Sequence, residues 1–129
     1  MSPEQATHGE IPRLGTLEAR VMDVLWEHGP STIREVISRL ATEPAYTTIA
    51  TVLANLDRKN LVTSSRAKHS TTYSARQNRH EYTADLMGQI LRSSGDRAAS
   101  ILSFVDAMPK DDLELLREYL DRRNDRGRT

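Results

Sequence analysis

Five residues, Thr47, Thr48, Thr51, Asn55 and Arg58, fall at offsets that place them on one side of a helix, opposite Ile49, Val52, Leu53 and Leu56. Ala50 and Ala54 lie between them, so the polar side consists of small and hydrogen-bonding side chains. Hydroxyls of this kind reach phosphates or base edges. A threonine methyl can touch the thymine methyl, and Asn and Arg can make bidentate contacts to adenine and guanine. Such a face fits the major groove of a duplex. The plainer reading makes Thr47 a helix cap and the other threonines surface filler. Threonine is a mediocre helix former, however, so three within five positions weaken the helix and call for a reason. Groove contact supplies that reason.

The charges around this helix point the same way. Between Pro44 and Arg79 stand six cations (Arg58, Lys59, Arg66, Lys68, Arg76, Arg79) against one acid, Asp57, a net of +5. From His80 to Thr129 eight cations face ten acids, a net of −2. The whole chain, with 18 basic and 18 acidic residues, is neutral, so attraction to a polyanion must come from this local patch. Phosphate neutralisation and counterion release there supply sequence-independent affinity for nucleic acid. A solvated basic face is the bland alternative.

Other chemistries find no support. The glycines at 9, 15, 29, 88, 95 and 127 fit neither a phosphate-cradling loop nor a dinucleotide fingerprint, and no Gly-x-Ser-x-Gly elbow occurs. His80-Glu81 lacks the second histidine of a zinc-protease motif, while His8, His28 and His69 are scattered, so no metal site and no cofactor is expected. Asp111-Asp112 reads as the acidic first turn of a helix. The expectation is a protein that is not an enzyme.

The elements that must position the polar face follow from periodicity. Leu17, Val21, Val24 and Leu25 form a first helical stripe, with Thr16 as its expected cap and His28-Gly29 at its end. Thr32 and Glu35 have capping-box spacing before Ile33, Val36, Ile37 and Leu40. Pro44 disfavours helix at Glu43, and the third helix stops at Lys59-Asn60, where Asn60 can provide a left-handed cap. Leu61 to Ala67 and Ser70 to Ala75, rich in Val, Thr, Ser and Tyr, read as a hairpin turning at Lys68-His69. Tyr82, Leu86 and Ile90 then mark a fourth helix from Arg79. Asp96 caps a fifth, which carries Ile101, Leu102, Phe104, Val105 and Met108, and a sixth from about Asp111 holds Leu113, Leu116 and Leu120.

This order predicts a mostly α fold with a small β-hairpin wing: an N-terminal winged helix-turn-helix and a C-terminal three-helix region. The expected divisions are a polar tail over 1–13, the winged helix over 14–78, a helical region over 79–123 and a polar tail over 124–129. A helical piece of roughly 50 residues is too small to bury a sufficient core alone and needs a partner surface. At 129 residues, 37% apolar and without cysteine, the chain reads as a folded cytoplasmic protein without disulfides. Its longest apolar runs, Val24 to Trp26 and Val52 to Ala54, are far below the roughly 20 residues of a membrane span.

Leu17-Glu18, Val21-Met22, Leu25-Trp26, Thr32 with Glu35-Val36, Tyr46-Thr47-Thr48, Thr51, Leu53, Leu56, Lys59-Asn60-Leu61-Val62 and Tyr73 resemble the BlaI/MecI family of penicillinase repressors. The match is strong from about Leu14 to Ala75 and extends through the helical remainder in pattern. The resemblance implies a bacterial homodimeric winged-helix repressor on dyad-symmetric operators of β-lactamase or related genes. Its third helix would read the major groove, its wing would touch the backbone, and its C-terminal helices would interlock. A winged helix used as a protein-interaction module is the alternative.

The expected groove and phosphate contacts are then Thr47, Thr48, Thr51, Asn55 and Arg58, with Arg66, Lys68 and His69 on the wing and Thr32, by its hydroxyl and the helix dipole, at a further phosphate. Ile101, Leu102, Val105, Leu116 and Leu120 are then the expected dimer core. Family members controlled by a membrane-bound sensor metalloprotease are cut at an Asn-Phe bond, whose nearest equivalent here is Ser103-Phe104. The family's Lys-Gly after the third helix is Lys59-Asn60 in this chain, and its Gly-Arg-type wing tip is Ala67-Lys68-His69-Ser70. Copper-responsive relatives release DNA through a cysteine cluster that this chain lacks.

Overall fold

A computed structural model describes Ile11 and residues 14–127. Among them the order is α1 (Thr16–His28), α2 (Ile33–Arg39), α3 (Tyr46–Arg58), β1 (Val62–Ala67), β2 (Ser70–Ala75), α4 (Arg79–Ser93), α5 (Arg97–Asp106) and α6 (Lys110–Gly127). The chain thus adopts the expected mostly helical fold with one small antiparallel hairpin. Apart from Ile11, the expected N-terminal tail lies outside the described residues. At the other end, helix continues through Gly127, one turn beyond the expected stop at Arg123. Asn124, Asp125 and Gly127 are poor helix formers, so intrinsic propensity does not explain the extra turn.

Local chemistry sets most of the element ends. The cap of α1 is Gly15, and Thr16 is the first helical residue. The shift of one position arises because Glu18, three residues after Gly15, takes the Gly15 N–H on its Oε1 at 2.9 Å. At α2 the expected reciprocal cap forms: Thr32 N–H donates to Glu35 Oε1 at 2.8 Å, and Glu35 N–H donates to Thr32 Oγ1 at 3.2 Å. Asn60, at φ 63°, ends α3 as the left-handed residue the sequence calls for. Gly29 ends α1 at φ 79° and ψ −161°, a conformation open to glycine and few other residues.

The described residues form two compact units, one reaching Leu86 and the other starting at Met87. In the first, Val21, Val36, Ile49, Leu53, Leu56 and Val62 are completely buried, so α1, α2, α3 and the start of β1 share one core. The hairpin pairs Val62 with Ala75 through Ala67 with Ser70. Ser31, in the α1–α2 turn, adds a further bridge: its N–H donates to Tyr73 O at 2.9 Å, and Tyr73 N–H donates back at 2.8 Å. The wing is therefore tied by backbone to the turn ahead of α2.

The first two turns of α4 belong to this unit. Tyr82 is buried with its ring 5.6 Å from that of Trp26, and Leu86 packs on the same core. Trp26 Nε1–H donates to Gln77 O at 2.9 Å, anchoring the segment between β2 and α4 to α1. The second unit holds the rest of α4 with α5 and α6. Asp96 caps α5 as expected, its Oδ1 accepting from Ala99 N–H at 3.0 Å. No residue of α5 or α6 is buried.

Candidate nucleic-acid interface

The two faces of α3 separate as its periodicity predicts. Ile49, Leu53 and Leu56 are completely buried and Val52 packs against them. Thr47, Thr48, Thr51 and Arg58 are exposed, and Asn55 is half-buried. Ala45 occupies the N-cap, without a side-chain cap. Thr47 is therefore the second helical residue, and its hydroxyl is not needed to start the helix. The chain enters α3 through Glu43, left-handed at φ 44°, and then Pro44, which excludes helix upstream.

Two of the face residues bond to each other. Arg58 Nη2–H donates to Asn55 Oδ1 at 2.7 Å. A bidentate grip on adenine uses both the carbonyl and the amino group of an asparagine, and the Asn55 carbonyl, with two lone pairs, can accept from a base while still accepting from Arg58. The bond ties the two side chains together, and Arg58 keeps its remaining N–H groups.

On the wing, Arg66 lies opposite Thr71, and Lys68, at φ 59°, makes the turn with His69. All three expected wing residues, Arg66, Lys68 and His69, are exposed. Arg66 and His69 also line a polar cleft of about 400 Å³ whose other walls are the start of α2, Tyr46 and β2. Thr32 borders this cleft, but its oxygen already accepts from Glu35 N–H and its own N–H is taken by the Glu35 carboxylate. The hydroxyl proton is what Thr32 can offer a phosphate. Hydrogen bonds from the Thr32 backbone and hydroxyl hold the Glu35 carboxyl below its ordinary pKa.

The basic segment is smaller in effect than its count. Lys59 Nζ donates to both carboxylate oxygens of Glu18, at 2.9 and 2.8 Å. Burial pushes the Glu18 carboxyl up, but the hydrogen bonds from Lys59 and Gly15 N–H and the charges of Lys59 and Arg58 outweigh it and bring the pKa below the ordinary value. Arg79 Nη2 is 2.8 Å from Asp23 Oδ1 and 3.5 Å from Glu27 Oε1, and its guanidinium lies 5.4 Å from the Trp26 ring centroid. Lys59 and Arg79 are thereby bound to α1. Two further arginines outside the counted segment, Arg34 and Arg39, stand on α2. Arg39 donates to Ser31 Oγ at 3.1 Å, and Arg34 stacks over Tyr46.

In the second unit, Ile101, Leu102, Phe104 and Leu120 are exposed, Leu102 by 65%, and Val105 and Leu116 are half-buried. Leu116 and Leu120 line one shallow concavity of about 370 Å³ with Leu113, Arg117, Asp121 and Asn124. Ser103 and Phe104 are both helical, with the Ser103 carbonyl accepting from Ala107 N–H at 3.2 Å. Among the described residues no group of three or more His, Asp or Glu side chains could hold a metal ion. No helix among them is long and apolar enough to cross a membrane.

Comparison with known proteins bears on what these surfaces serve. The family model described as "Penicillinase repressor" matches residues 14–122. The chain belongs to the penicillinase repressor family. This repressor is similar to the transcriptional regulator BlaI of Mycobacterium tuberculosis, in strains CDC 1551 / Oshkosh and ATCC 25618 / H37Rv. The identity is 38% over 117 residues, covering 86% of this chain and 85% of the relative. Membership makes it a transcriptional regulator and not an enzyme, as the sequence leads one to expect.

Solved structures similar to it include the YusO protein from Bacillus subtilis, at TM-score 0.49 and 12% identity over 87% of this chain and 75% of that one. Another is a MarR family protein from Bacillus stearothermophilus, at TM-score 0.48 and 13% identity over 92% and 78%.

Of the site residues, those on α3 are brought together on one surface, and Arg66, His69 and Thr32 on another around the cleft. Arg34 and Tyr46 were not among the expected residues. The helical period puts Arg34 on the polar side of α2, which is the one signal for it in the sequence; its neighbour Tyr46 is set by how α2 and α3 pack.

Proposed function

We propose that this repressor acts as a homodimer on dyad-symmetric operator DNA of β-lactamase or related genes in the cytoplasm. The observation that carries the reading is the solvent face of α3, where Thr47, Thr48, Thr51, Asn55 and Arg58 stand exposed or half-exposed opposite an apolar face whose Ile49, Leu53 and Leu56 are completely buried. On this reading α3 enters the major groove and reads base edges. Arg66, Lys68 and His69 on the wing, with the Thr32 hydroxyl, hold phosphates on either side and fix the register.

Dimerisation is assigned to the second unit. Ile101, Leu102, Val105, Leu116 and Leu120 form its core, because their exposure in one chain is the exposure that a second copy would remove. Two half-sites then lie an integral number of duplex turns apart, about 10 base pairs each. Whatever cuts or loosens α5, including a sensor metalloprotease acting at Ser103-Phe104, weakens the dimer and removes the combined affinity of two half-sites.

The test is a titration of the protein onto a labelled duplex from its own promoter and onto a scrambled duplex, at two salt concentrations. A preference of about a thousandfold for the promoter, with affinity falling steeply as salt rises, is expected. Equal weak binding to both duplexes leaves only a basic face, and no binding at either salt turns the α3 face into a protein-docking surface.

A further inference from the structure

We propose that Arg34, stacked on Tyr46, is a further DNA contact that joins Arg66 and His69 in seating one phosphodiester group of the duplex backbone. The seat is the cleft between the start of α2, the start of α3 and the wing. The inference rests on the DNA-binding reading above and adds to it a residue that lies outside both the α3 pattern and the basic segment.

The cleft gathers two arginines and a histidine from separate elements. Arg34 comes from the first turn of α2, Arg66 from β1 and His69 from the hairpin turn, and all three line the same volume of about 400 Å³. Ser70 and Thr71 add hydroxyl donors from β2. No aspartate or glutamate is among the lining residues. Two guanidinium groups around one cleft whose lining residues include no acid leave positive charge that an anion seated between them would neutralise. The cleft is also too small and too polar for a helix or a strand of a partner, whereas a phosphate with its first waters fits.

Tyr46 explains why Arg34 points there. Its ring is 49% exposed at the first position of α3, where an aromatic side chain gains little from the core. The Arg34 guanidinium carbon lies 5.6 Å from the ring centroid. At that distance the ring attracts the guanidinium and biases where it sits, while its N–H groups can still hydrogen-bond a phosphate. Tyr46 is a positioning residue in this scheme, and Arg34 the contact. Because α2 is tied through Ser31 to Tyr73 of β2 by two backbone hydrogen bonds, the walls of the cleft hold their spacing before DNA arrives.

A phosphate contact and a base contact leave different signatures. The experiment measures binding of the wild type, Arg34→Ala, Arg34→Lys and Tyr46→Leu to the promoter duplex and a scrambled duplex by fluorescence anisotropy across a salt series. Arg34→Ala is expected to weaken both duplexes by a similar factor, roughly tenfold, and to lower the salt slope by about one. Arg34→Lys keeps the slope and loses part of the affinity, since it retains the charge but not the fork. Tyr46→Leu loses affinity with the slope unchanged.

The inference is overturned if Arg34→Ala binds with wild-type affinity and slope, or if it weakens the promoter duplex alone, which would make Arg34 a base reader. Thermal melting checks that each variant is folded. Should Arg34→Ala melt early, the contrast between Arg34→Lys and Tyr46→Leu carries the test. If the wild type binds neither duplex, the DNA-binding reading fails and takes this inference with it.

Discussion

Lys59 Nζ lies 2.9 and 2.8 Å from the two carboxylate oxygens of Glu18, so the cation that follows the polar face of α3 is bound to α1. The pair is partly shielded from solvent, with the lysine side chain 33% exposed and the glutamate 15%. It locks the C-terminal end of α3 to the N-terminal turn of α1. Lys59→Met is therefore expected to lower the stability of the first unit by about 1 kcal/mol, toward the upper end for an accessible pair. Affinity for the promoter duplex and its salt slope should stay near wild type. Urea denaturation and the same titration check both; a tenfold loss of affinity at unchanged stability would return Lys59 to the DNA interface.

The acidic groups give this protein a directed pH dependence. Glu18 and Glu35 have pKa values below their ordinary 4.5 when folded. Their ionised forms bind the folded state more favourably than the unfolded one, so their contribution is complete above about pH 4.5 and is lost as pH falls through the folded values. Melting temperature should accordingly fall as the pH is lowered from about 4.5. Glu18→Gln, which lacks the titrating group, should melt lower than wild type at neutral pH and converge with it in acid. Parallel curves for the two proteins would contradict the assignment.

Asn60 holds a left-handed conformation at φ 63° where the chain leaves α3 for the hairpin. A β-branched side chain there meets the full steric penalty, so Asn60→Val should cost about 1–2 kcal/mol. Asn60→Gly relieves the backbone while loosening the unfolded chain, and is expected to change stability by less than about 1 kcal/mol. Denaturant midpoints check the prediction: that of Asn60→Val should fall clearly below wild type and that of Asn60→Gly should stay close to it.

Asn55 on α3, bonded to Arg58, and Arg66 on the wing have different expected roles. Asn55→Ala should relax base preference at one operator position, removing about 1–3 kcal/mol of discrimination there. Arg66→Ala should instead weaken all duplexes alike and lower the salt slope by about one. Binding measured across a panel of single-base operator variants separates the two patterns.

Leu102, 65% exposed on α5, is the most open of the side chains assigned to the dimer core. Leu102→Asp introduces a charge that an apolar interface cannot solvate, so the variant is expected to sediment as a monomer and to lose the gain from two linked half-sites. A variant that still sediments as a dimer refutes the placement.

Much of this architecture is local and was therefore legible. Offsets of three and four among Ile49, Val52, Leu53 and Leu56 follow from the helical period itself, and the polar face opposite them comes with it. Thr32 with Glu35, Asp96 with Ala99, and left-handed Asn60 are contacts within a few residues, decided by side-chain chemistry before any packing. Thr16 misled by one position because Glu18 could reach back to Gly15 as easily as a hydroxyl could reach forward.

Pairings across the fold were decided by tertiary structure alone. Glu18 meets Lys59 from 41 residues away, Asp23 meets Arg79 from 56, and Trp26 meets Gln77 from 51, distances over which no periodicity speaks. Those pairings remove Lys59 and Arg79 from the basic surface, while the packing of α2 on α3 brings Arg34 onto Tyr46 beside the wing. Sequence by itself determined which faces are apolar, which polar and where most helices begin or end, because those depend on neighbours along the chain. Which cations remain available for a ligand depended on where α1 came to lie, since an ion pair forms only between groups that the packed core has already brought within reach.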